Sequence, residues 1–183
     1  MTKGENALIA EAAEALRIRD VMLNECRFSR PAAPPADSDT VEVRQMTKRT
    51  VEYTLGDVPT DTGELIKLLQ VTVALGIRLV AVEGEADKAP IYFEIEADFL
   101  VEYEVTKAID DPAIRAFADH NSVHNVWPFW RQHVFDTVSR GRLPHIDVPL
   151  YSGPGSRRAK SEETAPPERG DAQTSASVQA RQP

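Results

Sequence analysis

NVWPFWRQHVFDTVSRGRLPHIDVP, residues 125–149, contains both tryptophans of the chain and its most legible helix. Asn125 is placed to cap that helix through its side-chain oxygen. Pro128 suits a first turn, where a missing N–H loses no bond and φ is already helical. Gly141 stands where a left-handed residue would close the last turn, and Pro144 blocks continuation. Between these marks Trp127, Trp130, Val134 and Val138 recur at three- and four-residue spacing as an apolar stripe, while Phe129 and Phe135 widen the apolar surface to a second flank. A large ring removes roughly 150–250 Å² from water when buried, so these side chains are expected to meet a sheet, another subunit or a bound chain. After the helix, the residues up to Pro149 read as a short apolar strand.

Upstream lie the best strands. Leu69, Val71, Val73, Leu75, Ile77, Leu79 and Ala81 alternate with other residues, and after a polar turn at Gly84 to Lys88 so do Ile91, Phe93, Ile95, Ala97, Phe99, Val101, Tyr103 and Val105. This pattern predicts a long antiparallel hairpin. The opposite face of its second strand carries Glu94, Glu96, Asp98, Glu102 and Glu104, so one side is expected to be buried and the other wet and acidic. Ile18 to Phe28 reads as an irregular strand ending at the Pro31 to Pro35 run, a crossover loop, and Val41 to Tyr53 as a weaker second strand. Leu55 to Glu64, with Gly56, Pro59 and Gly63, reads as a loop. Asp110, Asp111 and Pro112 open a helix over Ala113 to about His120, ahead of the tryptophan helix. Strands first and helices last, with no βαβ alternation, predict an α+β domain.

The division expected along the chain is a short N-terminal helix over residues 1–17, a main domain over 18–151 and a disordered tail over 152–183. The tail holds almost no large apolar residue with which to offset its ordering entropy.

Composition narrows the function classes. A net charge of −8 without a basic stripe argues against a nucleic-acid partner. The single cysteine, Cys26, rules out an internal disulfide framework and suits a reducing compartment. With no long apolar run and no signal-like N-terminus, the expectation is a cytoplasmic chain without a membrane span. No glycine-rich phosphate loop or nucleophile elbow occurs, which leaves no cofactor to expect and no enzyme motif.

The spacing of Asn125, Pro128, Phe129, Arg131, Val138, Ser139, Arg140, Gly141, Pro144 and Pro149 resembles the hallmark segment of the SecB family of export chaperones. Trp130 and Gln132 depart from the family's usual residues, as does the ending, which lacks the family's short C-terminal helix and acidic tail. The resemblance implies a SecB-like four-stranded antiparallel sheet with C-terminal helices on one face, assembled as a homotetramer, a dimer of dimers. It also implies an ATP-independent holdase that binds unfolded polypeptides or preproteins and keeps them export-competent. Val41, Val43, Trp127, Phe129, Trp130 and Val134 are then the client-binding candidates, and Tyr92 and Glu94 fall near the family positions that contact the translocase motor SecA. A branch of the family serves one antitoxin of a toxin–antitoxin pair, a narrower role that the missing C-terminal helix and the added N-terminal one also suit.

A reading of another class remains, a small-molecule-binding or hydrolytic α+β domain with its histidines and strand carboxylates around a pocket. His120 and His124 have the i, i+4 spacing of a helical metal site, but Asn121 occupies the place where a zincin needs glutamate. The pair reads as a polar loop, with no metal expected. The row Glu94, Glu96 and Asp98 shares a strand face as an acid–base pair would, and reads more simply as a solvated face.

Overall fold

A computed structural model describes residues 3–33, 42–82 and 89–151. Val41, the turn at Gly84 to Lys88, the far end of the crossover loop and the tail lie outside the described residues. Within them the chain forms α1 (Lys3–Ala15), β1 (Leu16–Ser29), β2 (Val43–Pro59), β3 (Leu65–Ala81) and β4 (Ile91–Val105), then α2 (Asp111–Phe117), a π-helical turn (Ala118–Ser122) and α3 (Val123–Gly141). The four strands make one antiparallel sheet in the order β1-β4-β3-β2. The two strands with the cleanest alternation occupy the centre, where both edges are paired, and the two weaker ones form the edges.

Alternation decides which side of the sheet is covered. Val71, Val73, Ile95, Ala97 and Val101 are fully buried on one face, together with Val123, Val126 and Val134 of α3 and Ala113 and Phe117 of α2. The helices therefore form a single layer on that face. α1 joins the same layer: Ala12 and Ala15 are buried, and His120 of the π turn lies 3.0 Å from Glu5. Tyr103 anchors the layer to β4. Its ring meets Phe117 edge-on at 5.1 Å, and its hydroxyl accepts a 2.9 Å hydrogen bond from Asn125 Nδ2. Burial pushes the Tyr103 hydroxyl pKa up, against the opposing pull of Ser122 and Asn125.

The other face carries the carboxylates of β4, and Glu96, Glu102 and Glu104 among them have side-chain partners. Glu96 bonds Arg27 of β1 at 2.9 Å and also Lys48 of β2, whose stem crosses β3. That crossing needs Gly76, because a Cβ there would stand 2.8 Å from Lys48 Cγ and Cε. Glu104 bonds Arg17 at 2.5 Å, and Gln70 Nε2 donates to Glu102 at 2.8 Å. The acidic row is thus half-buried, with Glu96 and Glu104 paired to cations.

Five local expectations change. Leu55 to Pro59 belongs to β2 rather than to a loop, paired with Leu65 to Leu69, and only residues 60–64 turn, with Gly63 at φ 85°. Asn125 does not cap α3, because the chain arrives already helical through the π turn. Pro128 consequently sits inside the helix and withholds the hydrogen bond that the His124 carbonyl would accept. Gly141 is the last helical residue, and the left-handed position is Arg142 at φ 49°. The Leu143 amide reaches back to the Val138 carbonyl at 3.0 Å, as a left-handed cap requires. Finally, residues 144–151 are extended but join no sheet.

A non-glycine left-handed residue costs roughly 1–2 kcal/mol, partly recovered by the backbone entropy that glycine would lose. Arg142→Gly is expected to raise stability by up to about 1 kcal/mol, read as a higher urea midpoint at unchanged m. A lower midpoint would mean that the arginine side chain makes contacts worth more than the strain.

Candidate functional site

The helix-side row of β2 runs Val43, Gln45, Thr47, Arg49, Val51, Tyr53, each opposite an odd-numbered residue of β3. Because β2 is an edge strand, this row borders open space where α3 does not reach. Tyr53 ties its far end to the helix layer through a 2.9 Å hydrogen bond from its hydroxyl to Asp111 Oδ1. Desolvation, and then the Asp111 carboxylate, push the Tyr53 pKa up.

Between β2 and α3 lies a groove, and residues 145–151 run along it. Gln45 Nε2 donates to the Asp147 carbonyl at 3.0 Å, Arg131 Nε to Val148 at 3.0 Å and Trp127 Nε1 to Pro149 at 2.8 Å. Arg49 Nη1 donates to the Tyr151 hydroxyl at 3.2 Å, and the Tyr151 ring lies 5.3 Å from that of Trp127. Asp147 and Tyr151 thus meet Gln45 and Arg49, equal steps along the segment and along β2. The segment keeps strand pitch while forming no ladder with β2.

Two hollows flank it. One, of about 310 Å³, lies against Leu75, Ile77, Trp127 and Trp130; the other, of about 560 Å³, opens between the segment and Val134, Phe135 and Val138. Trp130 forms the groove floor and stacks on His133, ring centroids 6.2 Å apart. Burial lowers the His133 pKa, against the pull of Asp136.

Of the residues singled out in the sequence, Trp127 and Trp130 line the groove, and Val134 is buried beneath its second hollow. Val43 starts β2 beyond Gln45 and is half-exposed, and Phe129 projects from the outer side of α3. Tyr92 occupies the irregularity where β4 slips against Leu79 and Val80, and it is buried. Glu94 is paired opposite Arg78 on the charged face. Sequence reasoning missed Gln45 and Arg49 and named Arg131 only as part of the family-like spacing; the donors of all three face the segment. The alternating β2 pattern held that signal for the first two, since they share Val43's face.

The hydrolytic constellation does not converge. His120 and His124 lie in the helix layer, while the strand carboxylates lie on the opposite face of the sheet. Among the described residues, no three of His, Cys, Asp and Glu group as metal ligands. Nor, among the described residues, is any helix long and apolar enough to cross a membrane.

A four-stranded antiparallel sheet in the order β1-β4-β3-β2, with its helices on one face, is a SecB-like α+β fold. Among solved structures, the chain is similar to the Mycobacterium tuberculosis SecB-like chaperone Rv1957 in complex with a ChAD peptide from the HigA1 antitoxin Rv1956. The TM-score is 0.59 at 16% identity, covering 80% of this chain and 97% of that one. At this identity the likeness is one of fold. Comparison with protein-family models and with curated proteins finds no match.

Proposed function

We propose that the chain is an ATP-independent chaperone, a holdase whose client site is the groove between β2 and α3. One observation carries this reading: side chains on both walls donate to consecutive main-chain carbonyls of an extended segment. Such bonds recognise polypeptide by its backbone, whatever its side chains, while Trp127, Leu75 and Ile77 offer apolar surface. Several weak patches of this kind gain avidity when one flexible client spans them, which a homotetramer in the cytoplasm would provide.

Clients are unfolded polypeptides or preproteins in the general form of this reading. A narrower form, service to a single antitoxin, is favoured by the similar structure, whose bound peptide comes from an antitoxin. Diluting a chemically unfolded precursor into buffer without nucleotide separates the two. Near-stoichiometric suppression of light scattering is the result expected of a general holdase. Suppression limited to an antitoxin indicates the dedicated role, and suppression of neither sinks the chaperone reading. Contact with SecA, for which Tyr92 and Glu94 are the candidates, is tested by co-sedimentation.

Val43 is exposed at the start of β2, on the same face as Gln45. Val43→Asp places a charge on apolar client surface and should weaken capture several-fold in a still-assembled protein, measured by fluorescence titration of a labelled unfolded client. Unchanged capture would remove this residue from the site.

A further inference from the structure

The groove of the proposed client site is already occupied, and by the chain itself. After Pro144 ends the possibility of helix, residues 145–151, HIDVPLY, return along α3 in extended form. We infer that this segment is an intramolecular strap that fills the client's place, so that capture proceeds by displacing it. The inference rests on the reading of the groove as the client site.

Three features distinguish a strap from a permanent wall. The first is the chemistry of its attachment. The donors from Gln45, Arg131 and Trp127 all meet main-chain oxygens. Any extended chain of the same direction satisfies those donors equally, so displacement is an exchange of like bonds rather than a loss. The second is loose packing. The segment runs between two solvent-open hollows, about 310 Å³ on one side and about 560 Å³ on the other, so much of its length has no packed wall beside it. The third is its weak side-chain anchorage. Within 145–151 only Ile146 is buried; Val148 and Tyr151 are partly buried, Tyr151 through ring contacts with Trp127 and His124 and a single hydroxyl bond, and Leu150 is 74% exposed.

Lifting the strap joins the two hollows into one channel of mixed polar and apolar lining between β2 and α3 and frees the donors of Gln45, Arg49, Trp127 and Arg131. A client would meet Trp127 along a longer path than the closed groove offers. The apparent client affinity is then the intrinsic affinity multiplied by the fraction of chains with the strap displaced, because a dissociation constant rises as the competent fraction falls.

The test uses the full chain and reduced, carboxymethylated lactalbumin as a permanently unfolded probe. Tyr151→Ala removes the ring against Trp127 and the hydroxyl that accepts from Arg49, and it is expected to tighten probe binding about 3- to 10-fold through a larger displaced fraction. In a Cys26→Ser background, Gln45→Cys with Asp147→Cys is joined by a short bismaleimide whose spacer carries a reducible disulfide. Joining should weaken capture at least about tenfold, and cleaving the spacer in the same sample should restore it. Equal binding in all three forms, or weaker binding by Tyr151→Ala, overturns the strap while leaving the chaperone reading standing. No capture by any form, including the released ones, overturns the chaperone reading and the strap with it.

Discussion

Trp130→Ala is expected to lower stability by about 3–5 kcal/mol. Trp130 is only 3% exposed although its neighbour in the sequence, Phe129, is half in solvent. The ring is held between α3 and the β3 residues Leu75 and Ile77, and on its other side it stacks on His133. Truncation removes the transfer free energy of the indole and leaves a void. The void cannot close by collapse of the sheet, whose register is fixed by strand pairing on both sides of β3. It would open into the hollow already present beside Trp127.

A loss of that size is a large part of the roughly 5–15 kcal/mol that holds an ordinary domain together. It is read as a lower urea midpoint with m unchanged. Trp127→Ala supplies the contrast, because that ring is only partly buried and its removal should cost clearly less. A Trp130→Ala loss under about 1 kcal/mol would mean that the ring is not part of the core.

Why the sheet was legible while the groove was not is a matter of where the physical signal sits. Alternation marks β3 and β4 because each buries one face under the helices, and in β4 the other face is acidic. At the end of β2 that signal fails, since Gly56 and Pro59 carry the marks of a loop. On an edge strand, however, only one side needs N–H donors, so a terminal proline costs little. The start of α3 misleads for a different reason. Asn125 and Pro128 have cap chemistry, yet α2 and the π turn deliver the chain already helical, and Asn125 spends its amide on Tyr103. A local rule lost there to a contact 22 residues away in the chain.

The candidate site follows the same division. The tryptophans announced themselves through size and helical spacing. The strap did not, because what fixes it is a set of long-range donors, from Gln45 over 102 residues and from Trp127 over 22, whose acceptors are backbone atoms present in every residue. Alternation along β2 put Gln45 and Arg49 on the helix-side face, but spacing along the chain carries no trace of the acceptors they meet. The resemblance to the SecB family located the segment, and only coordinates could place its carbonyls against those donors.

Phe135→Asp is expected to break the proposed homotetramer, with sedimentation showing a smaller species where the unaltered chain shows four copies. Phe129 is 50% exposed on the outer side of α3, and Phe135 is 66% exposed on the flank of the same helix that borders the second hollow. Two rings fall short of the roughly 800 Å² per partner that a stable interface buries, so the surface must extend further. It has a route: Phe28 of β1 approaches the end of α3 so closely that a Cβ on Gly141 would lie 3.4 Å from its ring. Along β1, Ile18 and Leu23 are likewise about half exposed, at 48% and 49%. The edge of β1 itself is a poor place for a ladder with another copy, since it has two register shifts and carries Arg17, Arg19, Asp20 and Arg27. Association through the apolar faces is therefore favoured over strand addition at that edge. A carboxylate buried there without a partner costs several kcal/mol, which corresponds to a dissociation constant raised on the order of a thousandfold or more. Leu23→Lys should act in the same direction if β1 and α3 share one interface. An unaltered chain that sediments as a monomer would refute the assembly, and an unchanged mass for Phe135→Asp would move the interface off this side of α3.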